Sequence, residues 1–139
     1  MGWKQKVQKI LMGNHPLGVP QTRRKVIDIT GNVTLSVRDS GAIFTTYGAA
    51  SAADIVVTLP ALADSANCHY WFVAIPDHNM AVASAEGNNM IASGDIAAST
   101  VAYQTSDEIV GGVFYVVNGG TKWLVFPHLA DKGQAITIT

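Results

Sequence analysis

From Lys25 onward the chain is written in a two-residue period, and no helical period of useful length appears after residue 12. The runs "KVIDIT", "VTLSVR", "AIFTTY" and "DIVVTLP" are short, alternate apolar with polar residues, and are rich in Val, Ile and Thr. Side chains on a strand point alternately to opposite faces, so this pattern specifies half-buried strands. "CHYWFVAI", "MAVASA", "STVAYQT", "VFYVVN", "KWLVFP" and "AITIT" continue the series. Turn formers separate the runs: Gly31-Asn32, Asp39-Ser40-Gly41, "GAASAA", "PDHN", "EGNN", "SGD", "NGG" and "ADKG". Strands recurring about every ten residues predict an all-β domain, a single antiparallel β-sandwich or barrel of jelly-roll kind. Asn118 to Gly120 predicts a hairpin, because Asn and Gly tolerate positive φ.

Three of these runs are apolar on both faces. In "CHYWFVAI", Trp71, Val73 and Ile75 alternate with Tyr70, Phe72 and Ala74, and "VFYVV" and "WLVF" behave alike. An antiparallel sheet in a monomer normally shows water one polar face. A second cover is therefore expected, either the chain's own loops or a neighbouring subunit. His69, Trp71, Val73, Tyr115 and Trp123 are the candidates for an oligomer interface. Composition points the same way: 48% of the 139 residues are hydrophobic and 14% are charged, against a usual charged share of about 25%.

Charge divides the chain. Residues 1–27 hold Lys4, Lys6, Lys9, Arg23, Arg24 and Lys25 and no acid, whereas residues 28–139 hold three cations and ten acids. Within the basic part Trp3, Val7, Ile10 and Leu11 fall on one face of a short amphipathic helix, which Gly13 and Pro16 end. "GNHPLGVPQT" then reads as an extended linker. Residues 1–22 are thus expected to be an arm and residues 23–139 the β body. A helix of about ten residues is marginal alone and needs a surface. Trp3 with Lys4, Lys6, Val7, Lys9, Ile10 and Leu11, followed by Arg23, Arg24 and Lys25, fits docking into a protein groove. A disordered tail, or a helix folded back onto the body, is the alternative. A single aromatic and no recognised motif speak against nucleic acid.

Chemistry finds little purchase. "RDSG" sets Ser40 between Asp39 and Gly41, but there is no G-x-S-x-G elbow and no S-x-x-K, so the segment reads as a bend between strands. Asp77 and His78 are adjacent and point apart on an extended chain; His15, His69 and His128 have no metal-ligand spacing with the lone Cys68. "GGTK" lacks the phosphate-loop spacing. No catalytic residue, metal or cofactor is expected. The longest apolar run, "YWFVAI", is far too short to span a bilayer, and the first residues make a poor signal peptide.

"GNVTLSVRDSGAIFTTYGAASAADIVVTLPAL", with "YWFVAI" and "GNNMIASGD" after it, resembles a pattern of tailed-bacteriophage virion proteins. The matching residues are Thr34, Leu35, Asp39, Ser40, Gly41, Phe44, Gly48, Ala49, Thr58, Leu59, Pro60, Tyr70, Phe72 and Val73, and more loosely Gly94, Asp95 and Ile96. The resemblance covers roughly residues 30–97 and not the arm. It implies a β-rich virion protein that is not an enzyme: a capsid decoration (cement) protein, or part of a tail fibre or spike. It further implies self-association as a trimer. A short single domain with a basic arm favours the decoration role, with the major capsid protein as partner, at the capsid surface of a particle assembled in the host cytoplasm. No small-molecule substrate and no membrane enter that reading.

Overall fold

The computed structural model describes residues 24–49, 54–75, 79–103, 111–128 and 136–139. The expected helix, and with it Trp3, Lys4, Lys6, Val7, Lys9, Ile10, Leu11 and Arg23, lies outside the described residues, as do His15, Asp77 and His78.

Among the described residues twelve strands, numbered in chain order, form two mixed sheets. The larger holds β1 (Val26–Asp28), β3 (Ile43–Thr45), β5 (His69–Val73), β10 (Val113–Asn118), β11 (Trp123–His128), β7 (Met90–Ala92) and β8 (Asp95–Ala98), in that spatial order. The smaller holds β12 (Ile136–Ile138), β9 (Thr100–Tyr103), β6 (Asn79–Ala83), β4 (Asp54–Thr58) and β2 (Val33–Thr34).

The expectation of antiparallel pairing is corrected. Half of the ten described ladders are parallel: β1–β3, β3–β5, β2–β4, β4–β6 and β7–β11. The cause is the path of the chain. From β1 to β6 it crosses to the other sheet after every strand. A chain that crosses over and back re-enters the first sheet in its original direction, so each strand adds parallel beside the one two before it. Parallel neighbours ordinarily need a crossover helix; here a strand of the opposite sheet serves instead. Asp39-Ser40-Gly41 is accordingly no hairpin bend. Its Asp39 ends the short 3-10 turn Val37–Asp39, and Ser40 and Gly41 carry the chain on from it along the crossing from β2 to β3. Gly41 has φ +84°, a conformation that favours glycine. The hairpin at Asn118–Gly120 is present, joining β10 to β11 in antiparallel register with Gly120 at φ +97°.

The core draws on both sheets. Phe44, Tyr70, Phe72, Phe114 and Trp123 of the larger sheet and Ile55, Met80, Val82, Val101 and Tyr103 of the smaller belong to one buried cluster. Tyr103 stacks on Phe114 across the sheets at a centroid distance of 4.2 Å. Each such side chain contributes about 1.5–3 kcal/mol by leaving water. Asn118, itself buried, directs its amide to the carbonyls of Leu62 and Ser65 at 3.0 and 2.8 Å, tying the second 3-10 turn, Leu62–Asp64, to the end of β10.

Candidate functional site

Alternation sends one set of residues on β5, β10 and β11 into the core and the other set outward. The outward set is as apolar as the inward one. Strand register aligns Val26, Ile43, Trp71, Tyr115 and Phe126 in a single row across five strands. A second row holds His69, Val117, Leu124 and Ile91, and a third includes Val73 and Val113. Cross-strand aromatic neighbours pack onto one another: Trp71 on Tyr115 at 4.4 Å between centroids, Tyr115 beside Phe126 at 6.0 Å, and His69 edge-on to Tyr115 at 6.1 Å. Val26 and Phe126, at the two ends of the central row, are 62% and 46% exposed.

Four of the five expected interface residues, His69, Trp71, Val73 and Tyr115, therefore share this outer face. Trp123 does not. Its indole is wholly buried in the core, and its Nε1–H donates to the Pro60 carbonyl at 3.3 Å. Both parities of "WLVF" are apolar, so the sequence offers no sign of which one turns inward. Leu124 and Phe126 occupy the outer positions of β11 instead.

Two ring nitrogens of the face are turned away from water. Trp71 Nε1 and His69 Nδ1 are both buried and have no hydrogen-bond partner. The Arg24 guanidinium lies 5.7 Å from the centre of the Trp71 ring, a cation–π distance. Lys25 Nζ pairs with Asp39 at 3.3 Å, an exposed contact of small energetic weight. Two of the cations expected to take part in docking thus lie against the rim of the body. A shallow cavity of about 360 Å³ adjoins Phe126 where β7 turns away from β11, lined by Ile91, Ala92, Ser93, Pro127 and His128 among others.

The Asp-Ser pair is placed close to a histidine but in a geometry unlike a nucleophile and its base. Ser40 Oγ accepts from the His69 backbone amide at 3.1 Å, and Gly41 N–H donates to the His69 carbonyl at 2.7 Å. Asp39 faces Lys25. These bonds moor the crossing to the start of β5. Cys68 is buried. Burial raises the Tyr70 hydroxyl far above its ordinary pKa; the same effect pushes Tyr103 up to about 12, against the lowering influence of the His128 and Val113 carbonyls. Both hydroxyls are structural: Tyr70 donates to the Ser36 carbonyl at 3.0 Å, and Tyr103 lies 2.6 Å from the carbonyls of Val113 and His128. Among the described residues, no three His, Cys, Asp or Glu side chains converge as a metal ion would require, and no helix is long and apolar enough to cross a membrane.

No protein-family model matches the chain, and a search of curated proteins finds no relative. The outer face is therefore read from its own chemistry.

Proposed function

We propose that this protein is a structural component of a phage particle, a capsid decoration protein whose β body self-associates and whose basic arm binds the shell. The observation that carries the reading is the outer face of the larger sheet: an apolar row spanning five strands, with Arg24 and Lys25 at its rim. A face of this kind suits contact with protein rather than turnover of a substrate. The location in a virion rests on the resemblance around Asp39-Ser40-Gly41 and Thr58-Leu59-Pro60, as do the three copies that the family implies. In this reading the two sheets are the layers of a sandwich. The arm's apolar face, Trp3, Val7, Ile10 and Leu11, seats in a groove of the major capsid protein while its cations meet acidic rim residues.

The mechanism is multivalency. Several weak arms on one oligomeric body exceed the affinity of a single arm by about 10²–10⁴-fold. Cross-linked shell subunits resist internal pressure without catalysis.

A glycan- or receptor-binding role in a tail is the second reading, favoured by Tyr47, which is 71% exposed. The aromatic row gives it no support. Sugars stack on open ring faces, whereas Trp71 lies between Tyr115 and Arg24, so its faces are taken. The deciding experiment mixes purified protein with undecorated phage shells and measures occupancy by cryo-electron microscopy. Full-length protein decorates the shell. Deletion of residues 1–22 leaves a folded body that does not, and Trp3→Ala weakens binding by about 2 kcal/mol. Equal occupancy by the truncated protein overturns the role of the arm. Density at the tail tip alone replaces the decoration reading by the receptor reading.

A further inference from the structure

We infer that the β1–β3–β5 end of the outer face is a seat for the chain's own N-terminal segment, Trp3 to Leu11, which occupies it until a shell draws the segment away. The seat rests on the docking role proposed above for the arm and adds where the arm lies when no shell is present.

The chain joins the body on this side of the sheet. The Lys25 carbonyl, just before β1, already accepts from the Ile43 N–H at 2.9 Å. Continuing the register of β1, β3 and β5 back by two residues sets Arg24 beside Gly41 and Gly41 beside His69. The Gly41 N–H donates to the His69 carbonyl at 2.7 Å, in keeping with that register. Gly41 has no side chain to stand in the way, and the Arg24 guanidinium lies 5.7 Å from the centre of the Trp71 ring. The residues leading into β1 are thus already laid across the face. At this same end Trp71 Nε1 and His69 Nδ1 are enclosed without a partner, while Val26 beside them is 62% exposed.

The segment fits the seat in size. Three strands about 4.8 Å apart span about 10 Å, and three rows about 6.8 Å apart, from Arg24 to Asp28, span about 14 Å. Nine residues coiled as a helix, Trp3 to Leu11, measure about 13.5 by 10 Å. The twelve residues between Leu11 and Arg24 reach about 40 Å when extended, ample for the chain to turn back over β1. Leu124 and Phe126 on β11 lie beyond this footprint and stay open for the self-association of the body.

The segment also fits in chemistry. The floor is Val26, Ile43, Trp71 and Val73, with Arg24 at one end and Asp28 at the other. The Asp28 carboxylate accepts from Thr45 Oγ1 at 3.0 Å and from the Gly48 N–H at 2.9 Å, both neutral donors. Among the described residues no cation pairs with it. The apolar stripe of Trp3, Val7, Ile10 and Leu11 matches the floor, and Lys4 and Lys6 at the start of the segment match Asp28. Leu11 then lies toward Arg24, where the chain returns, and the segment runs antiparallel to β1. Shell and seat take the same four apolar side chains, so they compete for one arm.

The test uses the full chain with Gln5→Cys, a position opposite the apolar stripe, carrying a nitroxide spin label; Cys68 is buried and stays unlabelled. The amide resonances of Asp28, Thr45 and Val73 should broaden several times more than those of Ala81 and Ala102, which point outward on the smaller sheet. The broadening should persist in an excess of unlabelled protein, as a contact within one chain requires. Val7→Asp together with Ile10→Asp changes only the arm and should abolish it. Val26→Lys, at a side chain already 62% exposed, should release the arm and strengthen shell binding, about tenfold if the seat is filled about ten times as often as it is empty. Absence of broadening on the face, its loss in excess unlabelled protein, or its survival in the Val7→Asp, Ile10→Asp variant overturns the seat. Release by Val26→Lys with shell binding unchanged overturns the competition. A seated arm on a protein that ignores shells overturns the shell reading alone; an arm that binds shells and never broadens the face overturns the seat alone.

Discussion

The inner and outer faces of the larger sheet are made from alternate residues of the same strands, and their apolar content is nearly equal. Tyr70, Phe72, Phe114 and Trp123 face in; Trp71, Tyr115 and Phe126 face out. Their polar atoms set them apart. Inside, each aromatic handle has a partner supplied by the chain: Tyr70 the Ser36 carbonyl, Trp123 the Pro60 carbonyl. Outside, Trp71 Nε1 and His69 Nδ1 are enclosed with none. Buried Tyr and Trp usually find such partners. The inner face is a finished core, its aromatic polar atoms paired within the chain; the outer face keeps two enclosed, unpaired nitrogens and exposed apolar ends at Val26 and Phe126.

That contrast breaks most easily at Trp123. Replacing it by Ala removes a fully buried indole between the sheets and orphans the Pro60 carbonyl. The expected loss is about 3–5 kcal/mol, read as a fall in the urea midpoint at constant slope. A loss below about 1 kcal/mol would mean that the indole is not a core element. Asn118→Ala comes next. Its amide serves two backbone carbonyls and the Ser65 hydroxyl, at 3.0, 2.8 and 3.1 Å. Leaving buried acceptors unpaired costs about 1–3 kcal/mol. Hydrogen exchange should show the Leu62–Asp64 turn opening first; uniform destabilisation instead would mean that Asn118 acts on the whole core.

Much of this was legible in the sequence, and what escaped did so for physical reasons. Period-two alternation marks strands wherever one parity is more apolar, so the all-β class was readable from Val26 onward, and Asn118-Gly119-Gly120 marked its hairpin through backbone geometry. Pairing direction was not readable. Alternation reports which way a side chain points and is silent on whether the next strand returns beside its predecessor or crosses to the opposite sheet. The ten-residue spacing suggested hairpins, whereas the crossing at Asp39-Ser40-Gly41 leads from β2 in one sheet to β3 in the other. The candidate face was half legible for the same reason. His69, Trp71, Val73 and Tyr115 were singled out because their runs are apolar on both parities, and the same property grouped the core residue Trp123 with them and left Phe126 out. A row such as Val26–Ile43–Trp71–Tyr115–Phe126 exists only once register is known, since its members lie up to 100 positions apart.

Phe126→Ala makes the smallest change and separates the two faces most sharply. Phe126 is 46% exposed and Trp123 wholly buried, though three positions apart on one strand. At concentrations where the chain is a single copy, truncating Phe126 leaves no internal cavity, so stability should move by no more than about 0.5 kcal/mol. At high concentration the same substitution should weaken self-association about tenfold, because Phe126 is the exposed end of the outer aromatic row. Sedimentation equilibrium and dilute urea unfolding on one preparation measure both. A stability loss as large as that of Trp123→Ala would make the outer row part of the monomer's own core, with its cover supplied from within the chain.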